Sequence, residues 1–122
     1  MAGAVLARRM RRQLGALLDQ RATVYTRASG GAYTVVAKAE LPCLLQAADQ
    51  QPAASGPQRA ELADLRMLYY DPDYALPEAA QVAASAEPGV RWNVVAGSVR
   101  PEVGPGGVVV MRRCEVRRAR SS

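Results

Sequence analysis

The 122-residue chain has no histidine, no phenylalanine, one tryptophan and two cysteines. Without imidazole, no side chain titrates near neutrality at its ordinary pKa, and the commonest metal ligand is missing. Ser29, Ser55, Ser85 and Ser98 therefore have no histidine base, which excludes a Ser-His-Asp hydrolase. Cys43 and Cys114 stand far apart in sequence with no histidine beside them, so they do not make an ordinary zinc site. One possible disulfide is not the framework of a small secreted domain, and free, buried thiols in a reducing compartment are expected. No run approaches the ~18 apolar residues that a membrane-spanning helix needs. Charge lies within the first helical segment rather than ahead of an apolar run, which is not the pattern of a signal peptide. A protein made in a cytoplasm, without a membrane partner, is the expectation.

The apolar share of 49% suits a globular domain, and the length suits one core. Ala and Val carry that share, so the core is thin and is expected to gain stability from neighbouring subunits. The charge is unevenly placed. Residues 1–27 carry +5, residues 28–107 carry −4 and residues 108–122 carry +4. Basic ends around an acidic middle suit head-to-tail contact between copies, or contact with a polyanion. The residues expected to make such contacts are Arg8, Arg9, Arg11 and Arg12 near one end, Asp71 and Asp73 in the middle, and Arg112, Arg113, Arg117 and Arg118 near the other.

Residues 3–18 read as an amphipathic helix, with Leu6, Met10, Leu14, Leu17 and Leu18 on one face and the arginines opposite. The period then becomes two. Residues 21–26 form a short strand with Ala22 and Val24 on one side. Ser29-Gly30-Gly31 turns into a half-buried strand with Tyr33, Val35, Ala37, Ala39 and Leu41 inward. Pro42 is expected to interrupt the ladder, leaving 43–45 as an edge or bent strand. Residues 46–58 lack apolar periodicity, and a loop of this length in so small a domain points to function or to disorder, with function the favoured expectation. Further strands are expected at 61–70, 80–85, 90–96 and 108–116. Trp92 is the largest core candidate, 97–107 reads as a loop, and a bulge is expected near Arg112-Arg113 to bury Cys114 and Val116. The fold expected is mainly β: a small barrel of about six antiparallel strands, an N-terminal amphipathic helix and one long loop. Its parts are the helix at 1–20, the barrel at 21–118 and a basic tail at 119–122.

Chemical motifs are weak. Asp71 and Asp73 lack the further carboxylates of a calcium loop, and the Gly104–Gly107 segment precedes a strand rather than a helix N-terminus. No metal, cofactor or catalytic residue is expected, and the chain does not read as an enzyme.

The order of parts resembles the head-closure (head-to-tail stopper) proteins of long-tailed bacteriophages and gene-transfer particles. The likeness lies in the opening basic helix and Arg21-Ala-Thr-Val-Tyr-Thr26, then Ala39-Glu-Leu-Pro-Cys-Leu-Leu-Gln46. It continues in Asp71-Pro-Asp-Tyr-Ala-Leu-Pro77, Arg91-Trp-Asn-Val-Val95 and Val110-Met-Arg-Arg-Cys-Glu-Val116. It spans most of the chain as an order of elements, departing at Pro77-Glu78-Ala79, where a Gly-Asp turn is usual. The resemblance implies a ring of copies in the virion neck, assembled in the host cytoplasm. The ring would stand between the portal or adaptor protein and the tail terminator or tail tube, with packaged double-stranded DNA in its channel. It also implies that residues 46–58 face the channel, through Gln46, Asp49, Gln50, Gln51, Pro52, Ser55, Gly56 and Gln58. A tail terminator or other connector ring is the nearest alternative. A small-barrel nucleic-acid-binding module is a more distant one, and would need aromatic and basic side chains interleaved on one sheet face.

Overall fold

The computed structural model describes residues 2–47 and 65–119, with only the backbone of residues 2–4. Helix α1 (Ala2–Leu17) precedes β1 (Gln20–Arg27), β2 (Tyr33–Ala47), β3 (Leu65–Tyr70), β4 (Gln81–Ala84), β5 (Trp92–Val94), β6 (Arg100–Val103) and β7 (Val109–Arg118). Six strands close into an antiparallel ring in the order β1-β2-β3-β7-β5-β4, with β4 pairing back onto β1. The expected mainly β fold, a ring of about six strands with one N-terminal helix, is what the chain adopts. Closure removes the ring's free edges. It depends on β7, which pairs with β3 along one edge and with β6 and then β5 along the other.

The connection 71–80 carries the chain from β3 across to β4, beside β1. It begins with an Asx turn, in which the Asp73 amide donates to Asp71 Oδ1 at 2.9 Å. Leu76 on this connection enters the core.

Inward side chains alternate along each strand, as the pleat requires. Ala22 and Val24, Leu41 and Cys43, Leu68 and Tyr70, Val82, Trp92 and Val94, and Cys114 and Val116 form the core. Trp92 is the largest of the fully buried side chains, as its sequence context suggested. At an edge of this core the Arg66 guanidinium covers the Trp92 ring at 5.2 Å and lies 3.7 Å from the Glu87 carboxylate.

Several expectations are corrected. Pro42 does not break β2: it pairs with Arg21, and its carbonyl accepts from the Asp71 amide at 3.2 Å, so only the missing N–H is lost. Cys43 is consequently flanked by both β1 and β3, while Leu44 and Leu45 pair with β3 alone, and the Leu45 amide donates to the Gln20 side chain. The 33–41 stretch does not keep one face inward. Three register shifts against β1 reset its alternation, and Glu40 takes a left-handed φ of 56°. Of the five side chains expected inside, only Leu41 is buried. No bulge lies at Arg112-Arg113, where β7 stays in register with β3. The irregularity falls instead opposite the Glu102/Val103 step of β6. Regular alternation then places Arg112 on the face of Cys114 and Val116, with its Nε donating to the Pro72 carbonyl at 2.8 Å. Within the expected 97–107 loop lies β6, whose Pro101 is tolerated because it sits on an outer strand.

The helix is also turned relative to expectation. Ala7 and Leu18 are buried, and Met10, Arg11 and Leu14 are half-buried, whereas Leu6 and Leu17 are about half exposed. α1 packs on β7 and on the 3-10 turn Pro105–Gly107. The contact is close: a Cβ on Gly104 would stand 2.8 Å from Val110 Cγ1 and 3.5 Å from Met10 Sδ. Arg11 joins the docking face because its Nε reaches the Val109 carbonyl at 3.0 Å and its Nη2 reaches Asp73 at 2.6 Å.

Candidate functional site

The residues singled out for contact divide into two sets. Arg11, Asp71, Asp73, Arg112 and Arg113 are engaged within the chain: Arg11 with Asp73 and Val109, Asp71 with the Asp73 amide, Arg112 with Pro72, and Arg113 with Glu102 at 2.8 Å. Arg8, Arg9, Arg12, Arg117 and Arg118 are exposed and, among the described residues, take part in no ion pair. Of the expected channel loop, Gln46 is an exposed residue near the end of β2, paired with Met67. Asp49, Gln50, Gln51, Pro52, Ser55, Gly56 and Gln58 lie outside the described residues, as do positions 61–64 of the expected third strand.

Exposed large apolar side chains occur on three elements. Val5, Leu6 and Leu17 stand on α1, Val35 and Val36 on β2, and Val103 on β6. Leu6 and Leu17 are eleven residues apart, which on an α-helix returns to almost the same angle and makes one stripe. That stripe flanks the docked face and is bordered on its other side by the exposed Gln13 and Arg9. α1 sits outside β7, and in a ring of six strands β1 is the strand opposite β7. The helix stripe ends at Leu17, just before β1 begins, whereas Val35 and Val36 pair with Thr26 and Tyr25 near the far end of that strand, so the two are separate surfaces.

That hairpin is the second feature of note. Residues 34–40 are exposed on both faces, so the distal part of the β1–β2 pair stands clear of the core as an arm. Its turn closes through an Ala28 amide bond to the Ala32 carbonyl at 2.7 Å, with Gly31 at a φ of 89°. On one face of the arm the Arg27 guanidinium lies 5.1 Å over the Tyr33 ring, and the Arg91 guanidinium lies 3.6 Å over the Tyr25 ring. Arg91 Nη1 also donates to the Tyr33 carbonyl at 3.4 Å. Sequence reasoning passed over this group. The Tyr25-x-Arg27 spacing and Tyr33 beyond the glycine turn were a usable signal, because paired positions of a hairpin share a face. Arg91 arrives from β5's approach, and nothing local announces it.

A cleft of about 380 Å³ lies between the β5–β6 connection and β7, lined by Met67, Ser98, Arg100, Arg113 and Glu115 among others. Its polar groups are turned on one another. Ser98 Oγ donates to the Val95 carbonyl at 2.6 Å and accepts from the Glu115 amide at 3.0 Å. Arg100 Nη1 donates to the carbonyls of Gly97 and Val99. The Ser98 hydroxyl proton is committed to backbone carbonyls, and among the described residues no side-chain base is bonded to it.

The remaining reactive groups are inside the ring. Burial pushes the Cys43 thiol up to about 11 and the Cys114 thiol up to about 12. Burial, with the neighbouring Cys114 thiol, raises the Tyr70 phenol to about 12. Both cysteines are free, and at neutral pH they are thiols rather than nucleophilic thiolates. Among the described residues no group of three or more Cys, Asp or Glu is placed to hold a metal, and no helix is long and apolar enough to cross a membrane.

The fold and its surfaces thus define a class, a closed six-stranded antiparallel ring with an external helix and a projecting hairpin. Comparison with family models, curated proteins and solved structures gives no match to this chain.

Proposed function

We propose that this chain is a structural ring subunit in the neck of a tailed-phage-like particle, standing between the portal or adaptor protein and the tail and helping to retain packaged DNA. The reading joins the resemblance in the order of elements to one observation, the placement of exposed apolar side chains. Val5, Leu6 and Leu17 on the helix and Val35 and Val36 on the hairpin are two different surfaces. Contact between unlike surfaces of identical copies is head-to-tail, and a head-to-tail contact that closes makes a ring. Exposed aliphatic side chains of this size, rimmed by charge, are what a surface covered by a neighbour carries. Arg9, on the stripe's side of α1, adds a contact worth about 0–1 kcal/mol, repeated at every interface of the ring.

Residues 46–58 take the channel-facing role in this reading. Their small, nearly neutral composition suits a steric plug, since a strongly cationic lining would bind DNA too tightly for release. The role is structural, without cofactor or catalysis.

The test is assembly. Negative-stain microscopy and mass photometry of the purified chain, alone and with its upstream adaptor, are expected to show rings. Leu6→Asp with Leu17→Asp should abolish them without changing the far-ultraviolet circular dichroism. Deleting residues 48–56 should leave rings intact but let particles lose DNA. A chain that stays monomeric with its adaptor, or full DNA retention after the deletion, would sink the reading.

A further inference from the structure

We infer that the arginine–tyrosine face of the β1–β2 arm is a binding surface for the phosphate backbone of duplex nucleic acid. The inference does not rest on the neck reading. It rests on the juxtaposition of Tyr25, Arg27, Tyr33 and Arg91 on one accessible face. Arg27 is exposed and Arg91 half-buried, and among the described residues neither meets a carboxylate. Stacking on a tyrosine ring costs a guanidinium none of its donors, because its N–H groups lie in its own plane and point away from the stack. Arg91 spends one donor on the Tyr33 carbonyl, at the long distance of 3.4 Å, and Arg27 spends none on a described residue. The two side chains are thus held in place with most of their donors outward. Fixed, forked, cationic donors suit phosphate oxygens, which they can bind two at a time.

The same stacking decides which nucleic acid is bound. Single strands are held largely by bases stacking on open aromatic rings. Here each tyrosine already carries a guanidinium on a face, at 3.6 Å for Tyr25 and 5.1 Å for Tyr33. Little ring surface remains for a base, while the charges remain available. Such a surface reads backbone rather than sequence, and with two arginines per copy its grip is weak and salt-labile. A chain of many phosphates can still be held by many copies, each of which lets go readily.

The experiment is fluorescence anisotropy of a labelled duplex of about 20 base pairs against the full chain, from about 50 to about 200 mM salt. Arg27→Gln with Arg91→Gln is expected to weaken binding at the lowest salt by on the order of tenfold, and to flatten the log–log salt slope by about 1.8. Because Arg91 also ties its strand to the arm, Arg27→Gln alone serves as the second variant, with a slope change of about 0.9 and an unchanged thermal unfolding curve. Arg8→Gln, Arg9→Gln and Arg12→Gln combined should change the slope less than the arm pair does. The assignment is overturned if the arm variants bind as the parent does, or if the helix variants lose more. Tighter binding of a single strand of equal length, or equal competition by polyglutamate, would overturn it too, the latter by pointing to acidic protein segments. Absence of rings in the assembly test would leave this inference standing, and loss of duplex binding would leave the ring reading standing.

Discussion

Strand β2 is one continuous element with two unlike halves. From Leu41 to Leu45 it lies in the ring, pairing with β1 as far as Cys43 and with β3 from Cys43 onward, and its inward Leu41 and Cys43 are fully buried. From Tyr33 to Glu40 it has only β1 beside it among the paired strands, and residues 34–40 are exposed on both faces. Composition does not separate the halves, since Val35 and Val36 are as apolar as the residues that enter the core. The difference arises at the bulges. Three one-residue slips against β1 and the left-handed Glu40 break the alternation there, and among the described residues this half pairs with no strand but β1. Burial follows from what stands opposite a strand, not from the strand's own pattern.

The sharpest way to break that comparison is to remove core volume. Trp92→Ala should cost about 3–5 kcal/mol and Leu41→Ala about 2–5 kcal/mol, read from urea unfolding monitored by circular dichroism. Val35→Ala in the arm should stay within about 0.5 kcal/mol. A Val35 cost equal to that of Leu41 would show that the arm is buried in the monomer. Gly104→Ala comes next, because the added methyl meets the buried Val110 at the helix seat, with an expected loss of about 1–3 kcal/mol. Arg11→Ala should release the same helix for about 1–2 kcal/mol, most of it from the bond to the Val109 carbonyl. Asp73→Asn should cost less than about 1 kcal/mol, because the Asp73 carboxylate is largely exposed and screened. Amide exchange of α1 would separate the two.

The smallest effect concerns the thiols. In the folded chain Cys43 and Cys114 ionise only at about 11 and about 12, against 9.0 for a free thiol. The folded state therefore holds the protons longer than the unfolded state does. Thermal stability should be level below pH 9.0 and fall as pH rises from there toward the folded values. Ellman's reagent should find no thiol in the native chain at neutral pH and two after denaturation. Reaction of native Cys43 would show that its half of β2 opens as the arm does.

Much of the fold was legible in the residues. Ala22 and Val24, Trp92, and Cys114 with Val116 carried period-two or flanking turn signals that the packing respects. Misreadings gathered where a local pattern had two solutions. The α1 leucines span more than one face, and docking on β7 selected the face that includes Ala7 and Arg11 and left Leu6 and Leu17 outside. Pro101 and its flanking glycines looked like a loop because only pairing with β7 makes Arg100–Val103 a strand. In the candidate surfaces, exposure of Arg8, Arg9 and Arg12 was legible from the helix period. The stacking of Arg91 on Tyr25 was not, since the two are distant in sequence and meet only through the β1–β4–β5 side of the ring.

By itself the sequence determined the class of the molecule and the chemistry it lacks. Alternation of Ala and Val demands a half-buried sheet, the leucine period demands a docked helix, and the absence of histidine removes one family of mechanisms. The tertiary structure alone decided where charge and apolar surface come to rest. It tied Arg11, Arg112 and Arg113 to partners of their own chain and left the Arg27 and Arg91 guanidiniums against tyrosine rings. The reason is that strand pairing between distant segments, unlike periodicity, is a property of the whole chain at once, because each register is fixed only when its neighbours' registers are.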